Sequence, residues 1–344
     1  MTDKIIVTGG TGYIGSHTVV ELIHNGFEPL ILDNLSNSEV EVLDGIQQIT
    51  GTKPVFTQLD ITDLSKLRQF CKQHTGIKAI IHFAAFKAVG ESVEKPLEYY
   101  RNNLISLMNL LTIMHEFSIP NLVFSSSCTV YGQPDLLPVT ENSPVKPANS
   151  PYGNTKQIGE EIIRDTLAAS EGLQAISLRY FNPIGAHESA LIGELPIGTP
   201  LNLVPFITQT VIGLRDELRV FGDDYDTPDG TGIRDYIDVV DLAGAHVTAI
   251  KRLLQGKNRS AYEVFNLGTG KGLSVLEIIN TFEKATGEKV KYRIVPRRPG
   301  DISRVYADTT LANTELGWKA TTPLDKTLLS AWNWEKYIRN NKGK

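Results

Sequence analysis

Lys4-Ile5-Ile6-Val7-Thr8-Gly9-Gly10-Thr11-Gly12-Tyr13-Ile14-Gly15 is the stretch on which the fold turns. Residues 4–8 are apolar or β-branched after the lysine and read as a short buried strand. Glycines at 9, 12 and 15 then give G-x-x-G-x-x-G, a variant of the dinucleotide fingerprint. Residues 16–25 have the apolar spacing of a helix and stop at Gly26. Strand, glycine turn and helix form the context in which backbone approaches a pyrophosphate and a helix N-terminus offers free N–H groups. The next strand, 29–32, ends at Asp33, placed to bind the ribose hydroxyls of an adenine nucleotide. Its charge repels a 2′-phosphate, and no Arg or Lys follows in 34–42. The pattern therefore favours NAD over NADP.

Outward from this start, short apolar strands recur at 54–61, 78–84, 122–126, 175–180 and 264–267. Helical patterns intervene at 65–74, 97–117 and 152–170. Alternating β and α elements predict an α/β fold, a Rossmann-type doubly wound parallel sheet with a smaller C-terminal substrate-binding lobe. Ligands of such sheets lie beyond the carboxyl ends of the strands. Those ends carry Asp60-Ile61, Phe83-Ala84-Ala85-Phe86-Lys87, Ser125-Ser126-Ser127-Cys128-Thr129 and Arg179-Tyr180-Phe181-Asn182. The division expected is 1–182 with 235–268 for NAD, and 183–234 with 269–344 for the lobe. Within the lobe a helix is expected over 202–214, and a polar frayed tail over 340–344. Arg297-Arg298-Pro299-Gly300-Asp301 offers two adjacent arginines to a diphosphate.

Composition narrows the classes. At 344 residues the chain exceeds the size at which one core stops growing. A net charge of −5 argues against a nucleic-acid surface. Two cysteines, Cys71 and Cys128, make no disulfide framework and no metal site, and fit a reducing cytoplasm. The N-terminus enters the first strand without room for a signal peptide, and no apolar run reaches membrane length.

The chemistry centres on Ser150-Pro151-Tyr152-Gly153-Asn154-Thr155-Lys156. Proline suits a first helical turn, and residues at i and i+4 share a helix face. An ammonium beside a phenol favours the phenolate, giving a base that works near neutral pH. Ser127, at a strand end, adds a hydroxyl.

Together these segments resemble the extended short-chain dehydrogenase/reductase family, and within it the 4-epimerases that interconvert UDP-galactose and UDP-glucose. The glycine loop and Tyr-x-x-x-Lys identify the superfamily. Ser125–Gly132 (Ser-Ser-Ser-x-Thr-Val-Tyr-Gly), 179–183 (Arg-Tyr-Phe-Asn-Pro) and 297–301 are more specific. The resemblance implies that Tyr152 is the acid/base, Lys156 its partner, and Ser127 the hydrogen-bonding partner of the reacting hydroxyl. It implies NAD contacts at Gly9, Gly12, Tyr13, Ile14 and Gly15 in the glycine loop. Asp33, Asn34, Asp60 and Ile61 would lie toward the adenosine. Phe83, Ala84, Lys87, Asn102 (or its neighbour Asn103), Tyr152, Lys156 and Phe181 would complete the cofactor site. The UDP-sugar would be held by Ser127, Asn182, Asn202, Leu203, Phe221, Arg234, Arg298 and Asp301. At Val305 the family carries a tyrosine in members restricted to non-acetylated hexoses, so valine extends the expectation to UDP-N-acetylhexosamines. A homodimer through 97–117 and 152–170 is also implied. A dehydratase of the same fold carries an Asp-Glu pair where Cys128 and Thr129 stand. The pattern also admits a 4-epimerase of a UDP-pentose or uronate, and a non-catalytic NAD-binding module.

Overall fold

In the computed structural model, which describes residues 2–298 and 301–342, the first strand β1 (Lys4–Thr8) feeds α1 (Tyr13–His24). There follow β2 (Glu28–Asp33), α2 (Val42–Thr50), β3 (Val55–Gln58), α3 (Leu64–Gln73), β4 (Ile77–His82), α4 (Val89–Glu94), α5 (Pro96–Glu116) and β5 (Asn121–Ser127). Next come α6 (Pro151–Ala168), β6 (Gln174–Tyr180), β7 (Asn182–Ile184), α7 (Leu203–Val211), β8 (Leu218–Phe221), β9 (Ile233–Asp238) and α8 (Val239–Leu254). The chain ends with β10 (Tyr262–Leu267), β11 (Gly272–Ser274), α9 (Val275–Thr286), β12 (Tyr292–Val295), β13 (Arg304–Val305) and α10 (Leu324–Lys342).

Seven strands form one sheet in the order β10-β6-β5-β4-β1-β2-β3, with every pairing parallel. The strands are apolar throughout because both faces are covered. Successive residues of β1 divide between the faces: Ile5 and Val7 enter one core, Ile6 the other. Ile31 against Leu30 and Leu32, and Ile81 against Ile80, repeat the alternation. α1 and α8 cover the first face; α3, α5 and α6 cover the second.

The strand order reverses between β1 and β4, which makes their carboxyl ends the switch point at which such sheets bind ligands. Glycine is required at the crossing. Gly9 has φ +71°, and a Cβ on it would lie 2.7 Å from the Ala84 nitrogen. A Cβ on Gly15 would lie 2.1 Å from the Gly9 carbonyl oxygen. The close approach also lets α1 begin at Tyr13, three residues before the expected 16, with Gly12 as N-cap.

After β6 the chain leaves this sheet. β7 pairs with β9, which also pairs with β11 and β13, while β8 and β12 make a separate ribbon. α7, α9 and α10 close a third apolar core over these strands. α8 and β10 return to the main sheet. α7 stops at Val211 rather than 214, because Gly213 (φ +85°) and the Leu214-to-Gln209 backbone bond turn the chain back. α10 continues through 340–342, so that much of the expected frayed tail is helical. Residues 343 and 344, with Pro299 and Gly300, lie outside the described residues. Helices α2, α4, α9 and α10 have no counterpart among the elements expected from sequence. Among the described residues no helix is long and apolar enough to cross a membrane.

Candidate active site

α6 carries the central pair. Ser150 caps it, its Oγ accepting the Gly153 N–H at 3.2 Å, and Pro151 occupies the first turn. This start sets Tyr152 and Lys156 one turn apart over the end of β5. Lys156 is 5% exposed and donates to the Ser125 carbonyl at 2.6 Å and to Ser125 Oγ at 3.3 Å. Its ammonium lies 4.8 Å from the Phe124 ring centroid and 6.0 Å from that of Tyr152. Burial pushes the lysine down to about 7, with the charge of Glu160 working the other way. Burial pushes the Tyr152 phenol up to about 12, and its hydrogen bond with Ser127 opposes that rise.

This corrects one expectation. The lysine was expected to lower the phenol's pKa directly, yet its hydrogen bonds go to Ser125 and desolvation dominates the phenol. A further positive charge in the site is needed to bring Tyr152 toward neutrality.

The cofactor side is assembled around the switch point. Gly9, Gly12 and Gly15 keep side chains out of the turn, and Ile14 packs on the core behind it. Tyr13 donates its hydroxyl to the Gly185 carbonyl at 2.7 Å, tying the glycine loop to the end of β7. Asp33 is 9% exposed; its carboxylate accepts the Thr11 and Leu35 N–H groups at 3.3 and 2.9 Å. It is thereby fixed beside the glycine loop, with Asn34 following. Asp60 is exposed and holds Thr62, while Ile61 is buried in the second core. Phe83 packs on His246 at 4.6 Å, and the Ala84 N–H reaches Thr8 Oγ1 at 3.4 Å.

The structure separates the two asparagines. Asn103 is committed to the loop after β4: it accepts the Phe86 N–H and donates to the Phe86 carbonyl and Thr155 Oγ1. Asn102, half-buried, donates to Asn103. A glycine cradle that a Cβ would fill, a fixed carboxylate at the end of β2, and the Tyr152–Lys156 pair at the end of β5 fit a bound NAD.

On the other side of the site, Arg234 donates to Asp301 at 2.5 Å. Arg298 lies over the Phe221 ring at 4.0 Å. The expected arginine doublet is split. Arg297 is held by Asp224 at 2.7 Å and lies over Tyr225 at 4.1 Å, which leaves Arg298 facing Phe221. Asn182 opens β7, and Leu203 opens α7 beside Asn202. Phe181 and Val305 share a small apolar cluster with Tyr131, Val139 and Ala307, against which Cys128 packs. Val305 is 4% exposed and pairs with Arg234 across β13 and β9.

Two residues of the site were missed in sequence. Glu194 accepts Asn202 Nδ2 at 2.6 Å and faces Lys87 at 3.6 Å, bridging the two sides of the site. It lies in the irregular 185–200 stretch, which carries no periodic signal. Glu160 stands four residues beyond Lys156 on the same helix face, a signal that was available. Among the described residues no cluster is arranged to hold a metal ion.

Residues 6–330 match the family described as GDP-mannose 4,6 dehydratase. The chain is 49% identical to the UDP-glucose 4-epimerase of Bos taurus over 342 residues, 98% of this chain and 97% of that protein. A UDP-glucose 4-epimerase structure from Stenotrophomonas maltophila, with bound NAD and formylated UDP-arabinopyranose, superposes with TM-score 0.95 at 48% identity. It covers 98% of this chain and 99% of its own. The Bifidobacterium longum UDP-glucose 4-epimerase in complex with NAD+ and UDP gives 0.93 at 46% identity, covering 98% and 99%.

Proposed function

The chain belongs to the UDP-glucose 4-epimerase family, within the extended short-chain dehydrogenases/reductases, and from that premise we propose how its residues carry out the reaction. It is an NAD-dependent isomerase that epimerises UDP-sugars at C4. The observation that carries the assignment of roles is the convergence of Tyr152, Ser127 and Lys156 at the end of β5, next to the switch point.

NAD, held by the glycine loop, Asp33 and the Tyr152–Lys156 end of the site, would supply the hydride acceptor and donor for C4. Tyr152 Oη takes the proton of the C4 hydroxyl as that hydride leaves, and gives it back when the 4-keto sugar is reduced. Ser127, already hydrogen-bonded to the phenol, orients the reacting hydroxyl. Lys156 holds positive charge near the phenol and is anchored on Ser125. Arg234, Arg298, Phe221 and Asp301 grip the nucleotide and diphosphate, with Asn182, Asn202 and Leu203 at the sugar end. Such a grip lets the hexose turn about its diphosphate link between the two transfers.

Dehydration is disfavoured by the side chains in place. Burial pushes the Cys128 thiol up to about 12, and Thr129 is a hydroxyl, so neither residue supplies the carboxyl acid or base that elimination needs. The proposal extends to turnover of UDP-N-acetylhexosamines, because valine at 305 is smaller than the tyrosine of the restricted members, although its side chain is packed in the cluster with Phe181 and Tyr131. The proposal includes the division into 1–182 with 235–268 and 183–234 with 269–344, supported by the change of sheet after β6. It includes a homodimer through α5 and α6, supported by the exposed Leu97 and Met108 on α5. It includes a role in galactose metabolism in the cytoplasm, where Cys71 and Cys128 stay free thiols.

The test is to incubate the purified protein with UDP-galactose and no added NAD, and to measure UDP-glucose. Conversion is expected; none, even with NAD supplied, overturns the proposal.

A further inference from the structure

Glu160 has no part in the roles above, yet it is buried one helical turn beyond the lysine. α6 presents Tyr152, Lys156 and Glu160 on one stripe, each four residues after the last. The end of β5 meets all three. Ser125 takes Lys156, Ser126 Oγ donates to Glu160 Oε1 at 2.5 Å, and Ser127 hydrogen-bonds with Tyr152. Glu160 is 3% exposed and forms a two-pronged pair with Arg179 of β6: Nε to Oε1 at 2.9 Å and Nη2 to Oε2 at 2.5 Å. Arg179 is itself anchored, lying over the Tyr131 ring at 4.9 Å and donating to Tyr131 Oη at 3.0 Å. Tyr131 in turn donates to Asn266 Oδ1 at 2.6 Å. A buried ion pair is weak evidence for stability, since apolar replacements of similar volume are often neutral or better. Its placement one turn from a buried ammonium calls for a different purpose.

We infer that Glu160 is a positioning residue of the reaction, its carboxylate serving as the counter-charge that keeps the buried Lys156 ammonium protonated, with Arg179 setting how much of that charge the lysine feels. This role rests on the assignment of Tyr152 and Lys156 to the chemistry.

The other titratable groups around the pair do not supply this charge. His82 at the end of β4 and His246 of α8 are pushed down by burial, to about 3 and about 4, and stay neutral. Tyr99 of α5, Tyr180 of β6 and Cys128 after β5 are pushed up by burial and stay protonated. Glu141 faces Arg179 and Tyr131, and Arg164 of α6 lies over Tyr262, so Glu160 is the charge that acts on Lys156 while these act on its surroundings.

The experiment compares pH profiles of kcat for the NAD-loaded enzyme. A titration of the Tyr152 phenolate by difference absorbance, with Tyr152→Phe as the blank, runs alongside. In Glu160→Gln, the limb on which activity falls with rising pH, as Lys156 loses its proton, moves down by about one unit. The Tyr152 titration moves up in parallel. Glu160→Asp keeps the limb where it is. Arg179→Gln moves it up, because the carboxylate is no longer shared. Loss of packing alone does not produce shifts of opposite sign. Lower activity with all limbs at the wild-type position overturns the inference and makes Glu160 purely structural. If Glu160→Gln is not recovered folded, an unshifted limb in Arg179→Gln, or a shifted one in Glu160→Asp, overturns it instead. Full activity in Lys156→Met refutes the lysine's own role; an inactive Lys156→Met beside an unshifted Glu160→Gln refutes only the inference.

Discussion

Replacing Lys156 by methionine is expected to abolish turnover and, in the NAD-free protein, to stabilise the fold. The lysine is held at about 7 rather than its usual 10.5 because its ammonium is buried. At about 1.4 kcal/mol per unit, this lysine withdraws about 5 kcal/mol from the fold at and below neutral pH. The sign follows from proton counting. Between about 7 and 10.5 the unfolded chain carries the proton and the folded chain does not. Stability therefore rises with pH across that window, by about 1.4 kcal/mol per unit, and the cost is gone above the unfolded value. Methionine fills a similar volume without charge. It leaves the Ser125 carbonyl and hydroxyl without the ammonium, a loss of about 1–3 kcal/mol. The net gain at neutral pH is then about 2–4 kcal/mol. The assay is urea unfolding of NAD-free wild type and Lys156→Met at about pH 7 and about pH 9. Groups common to both proteins cancel in the comparison. Wild type should gain about 2 kcal/mol more than the variant over that interval, since the folded lysine is already half deprotonated at about pH 7. Equal pH dependence of the two proteins would refute the claim that the lysine is buried as a charge against its own preference.

Tyr152→Phe should lower kcat by about 10²- to 10⁴-fold while NAD remains bound, checked by nucleotide content after denaturation; a near-normal rate removes Tyr152 from its role. Arg298→Ala removes a charged contact worth about 1.5–3 kcal/mol, so KM for the UDP-sugar should rise about 10- to 100-fold with kcat nearly unchanged; initial-rate kinetics decide, and an unchanged KM places the diphosphate elsewhere. Val305→Tyr should suppress turnover of UDP-N-acetylglucosamine relative to UDP-glucose, and an unchanged ratio means that other residues shape the sugar pocket. Gly15→Ala puts a methyl 2.1 Å from the Gly9 carbonyl, so the glycine turn must open and NAD should be lost from the purified protein; full NAD content would show that the turn is not the cradle.

The parts that were legible in the sequence are local. The strand–glycine–helix order of 4–24, Asp33 at the end of β2, and Tyr152 with Lys156 on one face of α6 are set by residue type and spacing. β-branched runs, missing Cβ atoms and the four-residue helix repeat act within a few residues, so they leave a pattern that can be read. Boundaries were less legible at irregular joints: α2 and the turned-back end of α7 depend on loops that pack from elsewhere. In the site, the residue pattern of the arginine doublet did not separate its two members, and Arg298 was named through the family resemblance. Only Asp224 and Tyr225, more than seventy residues earlier, draw Arg297 away and leave Arg298 over Phe221.

By itself the sequence determined the α/β class and the preference for NAD, and it singled out the residues proposed to do the chemistry. Tertiary structure alone decided their electrical state. Tyr152 and Lys156 are neighbours along the helix, and spacing suggested that the ammonium would lower the phenol's pKa. Folding instead ties that ammonium to Ser125, 31 residues earlier, buries both groups, and sets Glu160 and Arg179 against them. A pKa sums desolvation and charge over every element that closes around a group. Those elements come from distant parts of the chain, and no local pattern records how they meet.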